Sequence, residues 1–130
     1  MSIPEAEKKA RLGKTYIYPW VGVDLDGTLA EYDEYVNHTH IGAPIEKMVN
    51  RVKRFLDDQI IVKIFTARAA DANPAKRIEI IEAIDKWCIE VFGQTLPITC
   101  VKDYGCVRFY DDRAIQIIKN TGERADGEEL

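Results

Sequence analysis

The chain has 130 residues, 46% of them hydrophobic and 31% charged, with a formal net charge of −4. That length suits one domain able to bury a core without disulfides. The mild acidity excludes a broadly basic nucleic-acid binder, though not a small local basic patch. No stretch approaches the ~18 apolar residues needed to span a membrane. Much of the negative charge sits at the end, where Glu123, Asp126, Glu128 and Glu129 face only Arg124. Cys88, Cys100 and Cys106 are an odd set without CxxC spacing, which reads as free thiols in a reducing compartment. The first residues are polar and charged, unlike a signal peptide, so the cytoplasm is the expected location.

In chain order, residues 1–14 read as an arm or short helix. Residues 15–120 read as one folded domain, and residues 121–130 as a flexible acidic tail. Aromatic and β-branched residues predict a strand over 16–24, with Pro19 early, where a lost N–H matters least. Residues 25–44 are loop-like. A helix follows over 45–58, with Ile45, Met48, Val49, Val52, Phe55 and Leu56 at helical spacing. Residues 60–65 are a strand. Asn73 and Pro74 then open a second helix as N-cap and first helical residue, and Gly93 closes it. Its expected core stripe is Ile78, Ile81, Ile84, Cys88 and Val91, with Trp87 packing beside it. Strands over 96–101 and 107–110 and a short helix over 113–120 complete the chain. This alternation predicts an α/β domain with a mostly parallel sheet covered by helices on both faces.

In parallel sheets, sites form beyond the carboxyl ends of the strands. Asp24 and Asp26 follow the first strand, Thr66 follows "IVKIF", Lys102 follows "ITCV", and Asp111 and Asp112 follow "VRFY". Four segments thus deliver polar groups to one edge. Two unit charges ~4 Å apart repel by about 4 kcal/mol at an effective dielectric near 20, and Lys102 alone cannot offset four carboxylates. A hard divalent cation such as Mg²⁺ can, and a metal-bound acidic cluster is what phosphoryl chemistry requires. In that chemistry Asp24, at the strand end, would attack phosphorus, and Asp26 on the turn beyond would serve as general acid and base. Thr66 and Lys102 would hold phosphate oxygens, Asp111 would ligate the metal, and Asp112 would hold a metal-bound water or orient Lys102.

The ordered set "DLDGTL" at 24–29, "FTAR" at 65–68, Lys102 and "YDDRA" at 110–114 resembles the haloacid dehalogenase-like (HAD) superfamily of phosphohydrolases. The resemblance covers residues 20–114 and implies a Rossmann-like catalytic domain, Mg²⁺ and an aspartyl-phosphate mechanism. It also implies the carbonyl of Asp26 as a metal ligand beside Asp24, Asp111 and Asp112. Lys76, in "NPAKR", rivals Lys102 for the lysine role. Only residues 30–44 separate the first motif from the first helix, which resembles the capless members, with no separate cap domain. An open site suits an exposed phosphate on a macromolecule. A second copy of the chain could instead cover it and leave a small phosphorylated substrate. Residues 30–44 would form a flap, where Tyr32, Tyr35, His38 and His40 could touch substrate, and Arg68 could bind a second anionic group. His38 and His40 are read as solvated rather than metal-bound. The alternative reading is a phospho-accepting or non-catalytic Mg²⁺-binding module of the same fold. The order of the acidic motifs disfavours a receiver-type module, in which the acidic pair comes first.

Overall fold

The structure, a computed structural model, describes residues 18–130 together with the backbone at 11–12 and 15–16. Its strands are β1 (Arg11–Leu12), β2 (Thr15–Tyr16), β3 (Trp20–Val23), β4 (Ile61–Phe65), β5 (Ile98–Thr99) and β6 (Cys106–Tyr110). Its helices are α1 (Glu46–Asp57) and α2 (Pro74–Phe92), and a 3₁₀ turn runs over Ala67–Ala70. β1 and β2 pair antiparallel on their own, and β5-β4-β3-β6 form a four-stranded sheet. Every neighbour in that sheet is parallel. The arm expected over residues 1–14 lies outside the described residues, apart from the backbone of β1. No helix among the described residues is long and apolar enough to cross a membrane.

Local chemistry places the helix ends close to where the sequence predicts them. Asn73 accepts from the backbone N–H groups of Ala75 and Lys76, Pro74 fills the first helical position, and Gly93 takes a left-handed φ of 75°. α1 buries Met48, Val49 and Val52. In α2 the buried face is Ile80, Ile84, Trp87 and Cys88, while Ile78 and Ile81 are exposed. The expected stripe was therefore one position out of phase at its start. A helix reading "IEIIEAI" offers two apolar faces, and packing selects one of them.

Both helices share a single core with Val21, Val23, Val62 and Ile64, the residues of β3 and β4 that point to one side. Each fully buried side chain of this size contributes about 1.5–3 kcal/mol. The opposite side carries Lys63 over the Trp20 ring and an edge-to-face pair between Phe65 and Phe109. Trp20 is buried but belongs to no part of the shared core. Helices on both faces, as the sequence suggested, are thus not found among the described residues. Residues 100–105 alone carry the chain from β5 back to the start of β6, too few for a helix.

The helix expected over 113–120 is also absent. Ile117 bridges Arg124 antiparallel, and Ile118 N–H donates to Glu123 O at 2.8 Å, so residues 116–125 fold back as a small loop. Three isoleucines in eight residues, all half-exposed, give an isolated short helix neither propensity nor a packing face. Asn120 and Gly122, both at positive φ, supply the turn. All three cysteines are free: Cys88 is buried, Cys106 partly buried and Cys100 exposed.

Residues 31–43 leave the sheet as a flap with a tied neck. Ile45 N–H donates to Leu29 O and Glu31 N–H to Ala43 O, both at 2.8 Å, and the Trp87 indole N–H donates to Gly42 O at 3.0 Å. A side chain on Gly42 would collide with the Glu31 carbonyl oxygen. Gly42→Ala is therefore expected to lower unfolding free energy by about 1–3 kcal/mol, read from urea denaturation. An unchanged midpoint would mean the neck yields without cost.

Candidate active site

The chain turns its topology at β3. β4 and β5 extend the sheet to one side, whereas β6 lies on the other, so the carboxyl ends of β3 and β6 flank the switch point. The β3–β6 pairing carries on into Asp24, whose N–H donates to Tyr110 O at 2.9 Å. That bond sets Asp24 beside Asp111 and Asp112, and one carboxylate oxygen from each of the three lies within 4.8 Å of the others. Residues far apart in sequence thus meet because two strands run parallel and Val23 pairs with Tyr110 at their carboxyl ends.

The turn after β3 is built for this approach. Leu29 and Ala30 N–H both donate to Leu25 O, at 3.0 and 2.9 Å, and Gly27 N–H donates to Ala30 O at 2.8 Å. Gly27 has φ 87°, and a Cβ there would stand 2.7 Å from Asp112 Oδ2. Only glycine meets both demands. Thr28 Oγ1 accepts from Asp112 N–H at 3.0 Å and lies 3.4 Å from Asp24 Oδ2 and 3.2 Å from Asp112 Oδ1. Its single proton serves one of those carboxylates at a time. Asp111 Oδ1 accepts from Arg113 N–H at 2.6 Å, a local cap without a helix behind it.

This crowding has a direct electrostatic effect. Two carboxylates 4.8 Å apart repel by roughly 3 kcal/mol at an effective dielectric of 20, less where solvent screens the exposed Asp112. Partial burial, then the charge of Asp111, then Asp112 push the Asp24 carboxyl up from 3.8 to about 7, while the Thr28 hydroxyl acts the other way. A proton or a cation relieves the repulsion. The donors are all oxygen, the set a hard divalent ion prefers.

Around the trio lies a cleft of about 660 Å³. Thr66, 2% exposed at the end of β4, lines it; its Oγ1 accepts from Arg68 N–H at 3.2 Å. Asp26 lines the cleft but stands apart from the acidic trio. Arg68 Nε and Nη2 donate to Asp26 Oδ2 and Oδ1 at 2.8 Å each. Arg68 Nη1 donates to His38 O at 3.2 Å, and His38 Nε2 lies 2.6 Å from Glu79 Oε2. The Arg68 fork, expected to hold an anionic group of the substrate, is thus committed to Asp26 and the flap. Tyr32, Tyr35 and His38 line the same cleft, as the flap reading expected, whereas His40 lines a separate hollow of about 370 Å³.

The two lysine candidates are placed differently. Lys76 lines the cleft, and Lys102 does not. α2 starts just past the carboxyl end of β4, so its first turn faces the site, whereas Lys102 rides the return path from β5 towards the start of β6. Thr28, Asp71, Cys100 and Arg113 also belong to the site or its rim and were not singled out from the sequence. For Thr28 the signal was present in its fixed place within "DLDGT". Comparisons with family models, curated proteins and solved structures give no match for this chain.

A folded-state carboxyl above its unfolded value binds more protons folded than unfolded, so its contribution falls as pH rises through about 7. In chelator, Asp24→Asn should gain stability relative to the wild type between about pH 5 and about pH 8. Urea denaturation at the two pH values measures the gap. A gap that stays constant would remove the proposed repulsion.

Proposed function

We propose that this chain is a Mg²⁺-dependent phosphomonoester hydrolase of the haloacid dehalogenase-like type, with a Rossmann-like capless domain and a cytoplasmic location. The observation that carries the reading is the meeting of Asp24 from β3 with Asp111 and Asp112 from β6 at the switch point, with Thr66 in the same cleft. An acidic trio at strand ends, in one cleft with a buried hydroxyl and a lysine that has no ion-pair partner among the described residues, suits a phosphate group held against a cation. Bound there, magnesium would neutralise charge shared by the three carboxylates and the phosphate oxygens.

In this reading an Asp24 oxygen attacks phosphorus. The bond from phosphorus to the ester oxygen breaks, and that oxygen takes a proton from Asp26. Water then gives a proton back to Asp26 and attacks the aspartyl phosphate, which releases inorganic phosphate and restores Asp24. Thr66 donates to a phosphate oxygen. Lys76 takes the role first given to Lys102, since it faces the cleft from the first turn of α2. Proton transfer at Asp26 requires its ion pair with Arg68 to open. Arg68 also holds the His38 carbonyl, so that step is tied to movement of the flap.

The test is release of inorganic phosphate from an aryl phosphate with magnesium. Asp24→Asn should lower turnover by about 10³-fold or more, since no nucleophile remains. Lys76→Ala should lower kcat/KM by roughly 10–100-fold, the scale of one lost charged hydrogen bond, and should cost more than Lys102→Ala. A wild type inert towards every phosphomonoester offered with magnesium would defeat the reading.

A further inference from the structure

Most aromatic side chains inside the molecule are already engaged. Phe65 contacts both Trp20 and Phe109, Phe55 meets Tyr110, and Trp87 meets Phe92. Tyr32 and Tyr35 differ. They line the cleft that holds the acidic trio, they are 43% and 70% exposed, and neither has a ring contact or hydrogen bond among the described residues. Their loop is not loose. Its neck is tied to α2 by Trp87, and its middle by Arg68 and by the 2.6 Å His38–Glu79 contact. Two aromatic rings with free faces thus line the site on a loop whose backbone is tied at its neck and middle.

The charges beside them narrow the ligand. Lys76 and Arg113 line the cleft with no ion-pair partner among the described residues. Glu31, Asp33 and Glu34, all exposed, alternate with the two tyrosines along the flap. Two free cations are enough for one phosphate, and the acidic flap repels a chain of further phosphates. A cleft of about 660 Å³ is in the range of small-molecule sites.

Resting on the phosphatase reading, we infer that the substrate is a small molecule with a single phosphate and a planar aromatic group, which stacks on Tyr32 and Tyr35. Nucleoside 5′-monophosphates and O-phosphotyrosine share this chemistry. Aromatic stacking acts on the faces of both, whereas glycerol phosphate offers no ring and ribose 5-phosphate no flat one.

The experiment compares kcat/KM of the magnesium-loaded full chain on adenosine 5′-monophosphate, uridine 5′-monophosphate, O-phosphotyrosine, ribose 5-phosphate, glycerol phosphate and a 5′-phosphorylated oligonucleotide. At least one aromatic monophosphate should exceed ribose 5-phosphate and glycerol phosphate by about tenfold or more, and should exceed the oligonucleotide. Which aromatic arm leads separates the nucleotide source from the phosphotyrosine source. Tyr35→Ala and Tyr32→Ala should each shrink the ratio of aromatic to non-aromatic turnover. Equal turnover of all small phosphates, an oligonucleotide preference, or a ratio unmoved by both variants overturns the inference and leaves the phosphatase reading standing. Absence of turnover on every arm overturns both.

Discussion

Like charges brought together by a parallel strand pair are the constraint on which this molecule turns. β3 and β6 lie side by side and parallel, with a register shift between Trp20 and Val21, and aspartate follows the last residue of each. Backbone pairing therefore sets Asp24 against Asp111 and Asp112, whatever the carboxylates would prefer. The cost is visible in Asp24, whose carboxyl is pushed up to about 7. Apolar burial beneath it, with Val23 and Leu25 fully buried, supplies the stability that tolerates such crowding. The repulsion itself makes the cluster receptive to a cation.

The surrounding groups respond to that concentration of charge. Thr28 offers one proton between two carboxylates, and Gly27 is the residue that lets the turn pass beneath Asp112. Asp26 would add a fourth negative charge, but Arg68 grips it through two hydrogen bonds. The same guanidinium reaches the flap backbone at His38. One side chain thus joins the Asp26 carboxylate to the loop of residues 31–43. This link is local: it runs through one ion pair and one carbonyl.

Among the described residues, no helix covers the second face of the sheet. Residues 100–105 must cross from the outermost strand to the far side of β3 without a helix. Trp20 takes up the space there: its indole N–H donates to Asp103 at 2.8 Å and its N–H to Gly105 O at 2.7 Å, and Lys63 lies over its ring. The crossing loop is thereby tied to the first strand of the sheet. Lys102, inside that loop, is drawn away from the cleft edge.

Much of the element order follows from local chemistry alone. The Asn73–Pro74 cap, the Gly93 terminus, the apolar face of α1 and the aspartates at strand ends each depend on a few neighbouring residues, so they are legible in one dimension. Other features were not. Isoleucines at 78, 80, 81 and 84 allow two helix faces, and the sheet beneath α2 chose between them. Residues 113–120 carry a helical spacing but meet no surface to bury it, and helix formation in so short a segment depends on such packing. Sequence alone determined that acidic tips would gather at one sheet edge, because alternating strands and helices admit few topologies. Only the tertiary structure decided which lysine lines their cleft, that Arg68 holds Asp26, and that two tyrosines line the same cleft. Those facts depend on the path of loops through space, and loop direction is set by distant contacts rather than by neighbours along the chain.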